Sequence, residues 1–231
     1  MQIHGLNKTT LLDYPEHVAT TIFTGGCNFC CPFCHNGDLV LHPGGFPVIT
    51  EEEILSFLQK RKGILSGVCV TGGEPTLQPD LPQFIAKIKE MGYLVKLDTN
   101  GYRPKVLREL LTAGLLDYVA MDIKNSKEKY AATVGKETLD ISRIEESVEL
   151  LKQGSIAYEF RTTVVRQLHA KEDFVKIGKW LSGAGAYFLQ AYRDNENVIC
   201  KGFSSYTKEE MEDFLSLLVP EISRVKLRGI E

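Results

Sequence analysis

Three cysteines near the N-terminus have the spacing of a metal-cluster loop. Cys27, Cys31 and Cys34 follow the pattern C-x3-C-x2-C, within a glycine-containing loop that runs from Thr24 to Asn36. Three thiolates held this close can ligate three irons of a [4Fe–4S] cluster and leave the fourth iron without a protein ligand. An iron with an open position is a place for chemistry, as an open position is in a catalytic zinc site.

A structural zinc site is the alternative for the same loop. Tetrahedral zinc needs a fourth ligand, which Cys30 or His35 could supply. The remaining cysteines stand apart from the loop, and we expect Cys69 to be a core thiol inside a strand and Cys200 an incidental one in a polar loop. The loop alone therefore indicates a metal centre without deciding between a catalytic and a structural one.

Length and composition are those of an ordinary globular chain. The 231 residues, 43% hydrophobic and 25% charged, suffice for one α/β domain, and we expect a single domain over residues 1–231. A formal net charge of −3 argues against a polybasic surface for nucleic acid or membranes. No secretory signal and no apolar run of about 20 residues is visible. Four cysteines within eight positions are typical of metal binding in a reducing compartment, so we expect a cytoplasmic protein.

Short apolar runs alternate with amphipathic segments along the whole chain, which is the βαβ pattern of a parallel sheet. An N-terminal hairpin or edge strand precedes six βα units, and a final edge strand covers 222–227. The six strands are predicted at 17–24, 67–71, 93–98, 118–123, 158–165 and 187–191. Thr50 and Thr207 each precede a glutamate by three residues and predict capping boxes at helix starts. Six units rather than eight predict a partial (β/α)6 TIM-like barrel, with a doubly wound open sheet as the alternative.

A glycine-rich turn follows the second predicted strand. Gly72 and Gly73 lack the Cβ atoms that would keep a ligand away from the backbone, and Glu74 offers a carboxylate to an ammonium group. Taken alone, the stretch 72–75 also fits an ordinary strand-to-helix turn. Its place one βα unit after the cysteine loop indicates a binding site.

Two aspartates end neighbouring predicted strands. Asp98 ends the third strand, and Asp122 lies at the end of the fourth with Lys124 two residues later. Parallel α/β barrels place their chemistry at the C-terminal ends of the strands. Two buried carboxylates that lie close together repel unless a cation sits between them or a basic partner such as Lys124 is present. A turn with a surface aspartate is the alternative for each stretch.

These stretches together resemble the radical S-adenosylmethionine (SAM) superfamily. Within it they are most similar to the activating enzymes of glycyl radical enzymes, which include those of pyruvate formate-lyase and of anaerobic ribonucleotide reductase. The likeness covers most of the chain, at 11–15, 26–27, 34–36, 71–75, 97–101, 122–124 and Arg161. It implies the partial-barrel fold of the radical SAM type, and one [4Fe–4S] cluster on Cys27, Cys31 and Cys34 that binds SAM at its open iron.

The resemblance also implies a reaction and its partners. The reduced cluster gives one electron to SAM, and the resulting 5′-deoxyadenosyl radical takes a hydrogen atom from a glycine of a partner glycyl radical enzyme. That partner is expected to be anaerobic ribonucleotide reductase, with flavodoxin or ferredoxin as electron donor. The residues expected to bind the cofactor are Asn36, Gly72, Gly73, Glu74, Asp98, Asp122, Lys124 and Arg161. The same resemblance allows a monovalent cation at Asp98, Thr99 and Asp122.

Two departures from the family pattern bear on this interpretation. Many activating enzymes carry an inserted ferredoxin-like pair of cysteine motifs, and its absence here predicts one cluster. Where the pyruvate formate-lyase activating enzyme has a histidine after the sixth strand, this chain reads Gln-Ala-Tyr-Arg at 190–193.

Two other functions stay open. One is a radical SAM enzyme that acts on a small molecule, such as a 7-carboxy-7-deazaguanine synthase. The other is a non-catalytic zinc or iron–sulfur module.

Overall fold

Strands and helices alternate along the computed structural model, which describes residues 1–230. Internal contacts divide the chain into two units. The first unit comprises residues 1–28, 36–99 and 103–120, and the second comprises 29–35, 100–102 and the chain from Met121 onwards. The alternation confirms the predicted α/β class, while the single domain over residues 1–231 stays a prediction.

The first unit contains a sheet with helices between its strands. Strand β1 is antiparallel to β2, and β2, β3 and β4 are parallel neighbours. Strand β5 begins in this unit and ends in the second. The elements are β1 (Ile3–Thr10), β2 (Ala19–Thr24), α1 (Gly37–Leu41), α2 (Glu51–Lys60), β3 (Gly67–Gly72), α3 (Leu81–Glu90), β4 (Leu94–Thr99), α4 (Pro104–Thr112) and β5 (Tyr118–Asp122).

Both faces of this sheet are buried, but they differ in chemistry. Because successive strand residues point to opposite faces, the aligned residues Ile22, Val70 and Leu97 form an apolar row on one face. The opposite face carries the aligned row Thr21, Cys69 and Lys96, which is also buried. The apolar side chains of the surrounding helices that are buried include Ile54, Leu58, Phe84, Ile85, Leu107 and Leu110. A buried row that includes a lysine is unusual in a sheet core.

The second unit is built around three parallel strands. Strands β6, β7 and β8 are neighbours in that order, with Leu189 of β7 aligned with Thr162 and Leu227. The Phe174 and Phe214 rings stack at 4.6 Å between centroids and join two helices of its core. The elements are α5 (Tyr130–Thr133), α6 (Ser142–Gln153), β6 (Ala157–Val164), α7 (Lys171–Trp180), β7 (Tyr187–Ala191), α8 (Lys208–Leu218) and β8 (Val225–Arg228).

Most predicted elements are present within one to three residues of their expected ends. Both capping boxes are confirmed, since Thr50 and Thr207 each exchange hydrogen bonds with the glutamate three residues on. The N-terminal segment is β1, an edge strand antiparallel to β2. The short helices α1 and α5 were not predicted, because five or four residues are too few to show a helical period. No helix among the described residues is long and apolar enough to cross a membrane.

A buried carboxylate anchors the loop that follows β5. Asp173, near the start of α7, accepts hydrogen bonds from the Lys129 ammonium (2.6 Å), the Ala170 N–H (2.8 Å) and the Ser126 hydroxyl (3.1 Å). Burial alone would raise the pKa of the Asp173 carboxyl, but these donors lower it below its ordinary value. The loop therefore depends on Asp173 being ionised.

We expect Asp173→Asn to lower the free energy of unfolding by about 1–3 kcal/mol at neutral pH, because buried donors lose a charged acceptor. The pKa of Asp173 is lower in the folded state than in the unfolded state. The ionised carboxylate therefore stabilises the fold fully above the unfolded pKa of about 4, and this stabilisation is lost as the pH falls through the folded-state pKa. Denaturant unfolding between pH 7 and pH 3 should thus show the difference from wild type shrinking below about pH 4.

The control is Asp140→Asn, which removes an exposed carboxylate and should leave stability nearly unchanged. A difference between wild type and Asp173→Asn that stays constant over the whole pH range would contradict the role given to the ionised carboxylate.

Candidate functional site

The cysteine loop spans both units, and each part is held by backbone hydrogen bonds within its own unit. Cys27 belongs to the first unit, whereas Cys31 and Cys34 belong to the second. A turn joins the latter two, with the Cys34 N–H 3.0 Å from the Cys31 carbonyl oxygen. The Cys30 N–H donates to the Val134 carbonyl at 3.0 Å. All six cysteines are thiols and none is in a disulfide within the described chain.

The environment of Cys31 combines burial with a nearby positive charge. Its side chain is buried, and this burial raises the pKa of the thiol to about 11, although the Lys124 ammonium acts in the opposite direction. Without metal the thiol is therefore protonated at neutral pH. Binding of a metal to such a thiol releases the proton and leaves a thiolate next to Lys124. The donor set thus fits an iron–sulfur cluster: three thiols, one of them beside a cation.

The turn at Gly72–Glu74 is locked against the loop that leads to Cys27. The Gly73 N–H donates to the Thr24 carbonyl and the Glu74 N–H to the Gly26 carbonyl, both at 2.8 Å. A Cβ atom on Gly73 would lie 1.9 Å from the Gly26 oxygen, so no other residue fits there without moving that backbone. The two glycines are thus required by close approach of the protein's own backbone, whereas the sequence pattern predicted close approach of a ligand.

The Glu74 carboxylate is buried and is used to fix this turn. Its Oε1 atom accepts hydrogen bonds from the Thr99 hydroxyl at 2.7 Å and from the Thr76 N–H at 3.1 Å, and also from the Thr76 hydroxyl. The Asn36 side-chain amide donates to the Gly72 carbonyl at 2.8 Å. The first unit therefore brings Asn36, Gly72, Gly73 and Glu74 together with Thr99, and it does so through internal hydrogen bonds.

Three charged residues expected at the site converge in the second unit. Asp122 lies between two cations, with the Lys124 ammonium 2.9 Å and the Arg161 Nε 3.1 Å from its oxygens. Burial would raise the pKa of the Asp122 carboxyl, but the two cations lower it. Burial would likewise lower the pKa of Lys124, but Asp122 and the cysteines of the loop raise it. All three groups are charged at neutral pH, and together they carry one net positive charge.

Asp98, the remaining predicted site residue, also has a basic partner. It forms an ion pair with Lys96, two residues earlier on β4. The partner expected from the sequence for either aspartate was Lys124, which is confirmed for Asp122 only. Among the described residues no group of three or more histidine, cysteine or acidic side chains is already placed to hold a metal ion. The ligand set Cys27, Cys31 and Cys34 rests on its spacing and chemistry and stays a prediction.

Two residues that support the site were not predicted from the sequence. His169 is buried, and its Nε2 donates to the Lys124 carbonyl at 2.8 Å while its Nδ1 accepts from the Val165 N–H at 3.0 Å. Burial lowers the pKa of this imidazole, so it is neutral and holds the backbone of Lys124 in place. Gln78 similarly donates to the Gly25 carbonyl at 3.0 Å. No spacing rule singles out either residue, because their partners are distant in sequence.

A cleft of about 290 Å³ lies at the C-terminal ends of β7 and β8. The His35 ring forms part of it, next to the Tyr192 ring and 2.6 Å from the Arg193 carbonyl oxygen. Gln190, Ala191 and Arg193, from the stretch without a histidine, line this cleft together with His35 of the cysteine loop. The lining residues are His35, Gln190, Ala191, Arg193, Asn195, Arg228 and Gly229.

Comparison with known protein families and sequences gives consistent results. A family model described as Radical SAM superfamily matches residues 21–180, more than half of the chain. A putative glycyl-radical enzyme activating enzyme of Methanocaldococcus jannaschii is 35% identical over 201 residues, which are 84% of this chain and 81% of that protein. The pyruvate formate-lyase-activating enzyme of Clostridium pasteurianum is 35% identical over 141 residues, covering 58% of each chain. The second relative is thus matched over less than two thirds of its length.

Solved structures show the same fold. The crystal structure of SuiB from Streptococcus suis superposes with a TM-score of 0.70 at 11% identity, over 89% of this chain and 47% of that one. Its S-adenosylmethionine-bound form gives a TM-score of 0.68 at 11% identity, over 88% and 48%. This chain spans about half the length of those proteins. The likeness confirms the fold predicted from the sequence, an α/β fold with a partial (β/α)6 barrel of the radical SAM type.

We expect Gly73→Ala to destabilise the turn and to lower iron incorporation, because its Cβ would displace the Gly26 backbone next to Cys27. Iron per chain after anaerobic reconstitution, and the thermal midpoint of the metal-free protein, are the measurements. Gly44→Ala is the matched control, since a Cβ at Gly44 meets no atom within 4 Å. Equal iron content and equal thermal midpoints for the two variants would contradict the claim that close packing of Gly73 against Gly26 holds the turn in place.

Proposed function

Because the chain belongs to the radical SAM superfamily, we propose that it activates a glycyl radical enzyme by removing a hydrogen atom from a glycine of that partner. The chain is an enzyme of the radical SAM class. The activating role is supported by the match to a putative glycyl-radical enzyme activating enzyme over 81% of that protein's length. The proposed client is an anaerobic ribonucleotide reductase, and the proposed electron donor is flavodoxin or ferredoxin, in the cytoplasm.

The cofactors of this proposal are one [4Fe–4S] cluster and SAM. The cluster would be held by Cys27, Cys31 and Cys34, and when bound it supplies the electron that cleaves SAM. In this proposal the chain's own residues bind SAM and orient it. SAM carries a carboxylate and an ammonium group, and the second unit offers a net positive charge at Lys124 and Arg161 around Asp122. In the first unit, carbonyl oxygens of Gly72 and Gly73 are the acceptors proposed for the ammonium.

One structural observation carries the assignment of SAM to this site. The Lys124 ammonium lies 2.9 Å from the Asp122 carboxylate, which raises the pKa of this lysine against the opposing effect of burial. It therefore stays charged next to two of the proposed cluster ligands. A cation fixed at that point can bind the carboxylate of a ligand that also reaches the cluster.

We expect Cys31→Ala to lose the cluster and all SAM cleavage, because two thiolates cannot hold the cluster in place of three. Iron and sulfide content, visible absorbance and formation of 5′-deoxyadenosine after reduction are the measurements. Cys200→Ala is the matched control, as Cys200 is exposed and should be dispensable. A Cys31→Ala protein with its full iron complement and turnover would refute the ligand assignment, and one zinc with no reaction in wild type would favour the non-catalytic module.

The client is tested by EPR spectroscopy. We expect the reconstituted enzyme, with SAM and a reductant, to generate a glycyl radical doublet in an anaerobic ribonucleotide reductase. Deuterium at the Cα of the target glycine should appear in 5′-deoxyadenosine, because the hydrogen atom is taken from that carbon. The control is the same reductase with the target glycine replaced by alanine. Deuterium transfer from a small molecule such as a deazaguanine precursor, with no protein radical, would instead identify the small-molecule alternative.

A further inference from the structure

Lys96 is a buried lysine that the site described above leaves unexplained. Its side chain is 2% exposed, and it is aligned with Cys69 on the neighbouring strand. Its Nζ lies 3.7 Å from the Cys69 Sγ and forms an ion pair with the Asp98 carboxylate. Lys96 and Asp98 are two residues apart on β4 and therefore share a face. Lysine is almost never fully buried unless it is paired, so this ion pair is the reason the side chain can lie there.

The ion pair bears on the monovalent cation that the family resemblance allows at Asp98, Thr99 and Asp122. The Asp98 carboxylate already has an ammonium as neighbour, that of the buried Lys96 side chain. Asp122 has two cations of its own in the second unit. A metal cation at Asp98 would be repelled by the ammonium of Lys96, whose side chain is buried and therefore little screened by water. These residues do not fit an added monovalent cation.

We propose that the Lys96 ammonium takes the place of a monovalent cation at Asp98. It carries the same charge as K⁺, cannot dissociate, and orients the carboxylate at the end of β4. Lys96 is then a positioning residue, and the enzyme binds SAM equally well with and without K⁺ or Na⁺. The part of this inference that concerns SAM rests on the proposed function, whereas the part that concerns the ion pair does not.

The test compares wild type with Lys96→Met, in which a side chain of similar length lacks the charge. Both proteins are kept in a tetramethylammonium buffer of constant ionic strength, and K⁺ is titrated in. Two quantities are measured: the thermal midpoint of the metal-free protein, and the Kd for SAM of the reconstituted enzyme. We expect neither quantity to respond to K⁺ in wild type. In Lys96→Met, SAM binding should weaken about tenfold without K⁺, as for the loss of one charge-assisted hydrogen bond. Addition of K⁺ should restore SAM binding by this variant and raise the thermal midpoint of its metal-free form.

Two further variants separate this role from a merely structural one. Lys96→Arg retains the charge and should stay insensitive to K⁺. The double variant Lys96→Met with Asp98→Asn lacks the carboxylate, so K⁺ should no longer rescue it. A K⁺ response of wild type, the absence of any response in Lys96→Met, or a response that persists in the double variant would each overturn the proposal. Should Lys96→Met fail to fold, the K⁺ titrations of wild type and of Lys96→Arg still test the proposal, because a K⁺ response in either protein overturns the proposal.

Failure of the proposed function is distinguishable from failure of this inference. The thermal midpoint of the metal-free protein requires neither cluster nor SAM, and the Kd for SAM requires no client. An enzyme that binds SAM without K⁺ but forms no glycyl radical would therefore support the role of Lys96 and refute the proposed client.

Discussion

The backbone contact between the Gly72–Glu74 turn and the loop at Thr24–Gly26 is the constraint on which the site in the first unit depends. Two N–H groups of the turn donate to two carbonyls of that loop, and a side chain at Gly73 would overlap the Gly26 oxygen. Cys27 follows this loop directly, so the position of one proposed cluster ligand is set by the end of β3. A buried backbone needs such hydrogen bonds in any case, and here they also fix the entry to the cysteine loop.

The charges of the site follow a similar rule in both units. Each of the two aspartates expected at the site has a basic partner within its own unit, Lys96 for Asp98 and Lys124 with Arg161 for Asp122. Removing one partner of such a pair lowers the stability of the fold, because the other charge is then left unpaired in a medium of low dielectric. The arrangement therefore explains why charged residues lie at the ends of otherwise apolar strands. It also means that a ligand arriving at either place meets groups whose orientation is already fixed.

The sequence allowed the fold to be predicted and the site motifs to be proposed, because both rest on local patterns. Strand and helix positions follow apolar periodicity, and the capping boxes at Thr50 and Thr207 need only residues three apart. The supporting residues could not be found in this way. His169 acts on Lys124, and Gln78 acts on Gly25, through hydrogen bonds that span 45 and 53 residues. Lys96 did offer a signal, a charge in the middle of a buried strand, whose meaning depends on the ion pair seen in the structure.

The glycines of the turn were correctly singled out from the sequence, but only part of the reason for them could be predicted. A Gly-Gly pair after a strand predicts close approach of something to the backbone, and sequence alone cannot say whether that is a ligand or the protein. Here it is the protein, since the Gly26 backbone occupies the space that a side chain at position 73 would need. The carbonyl oxygens of the turn keep their capacity to accept further hydrogen bonds, because each has two lone pairs. The same glycines therefore serve the fold through the hydrogen bonds of this turn, and its carbonyl oxygens are held in place for the ammonium group that is proposed to bind there.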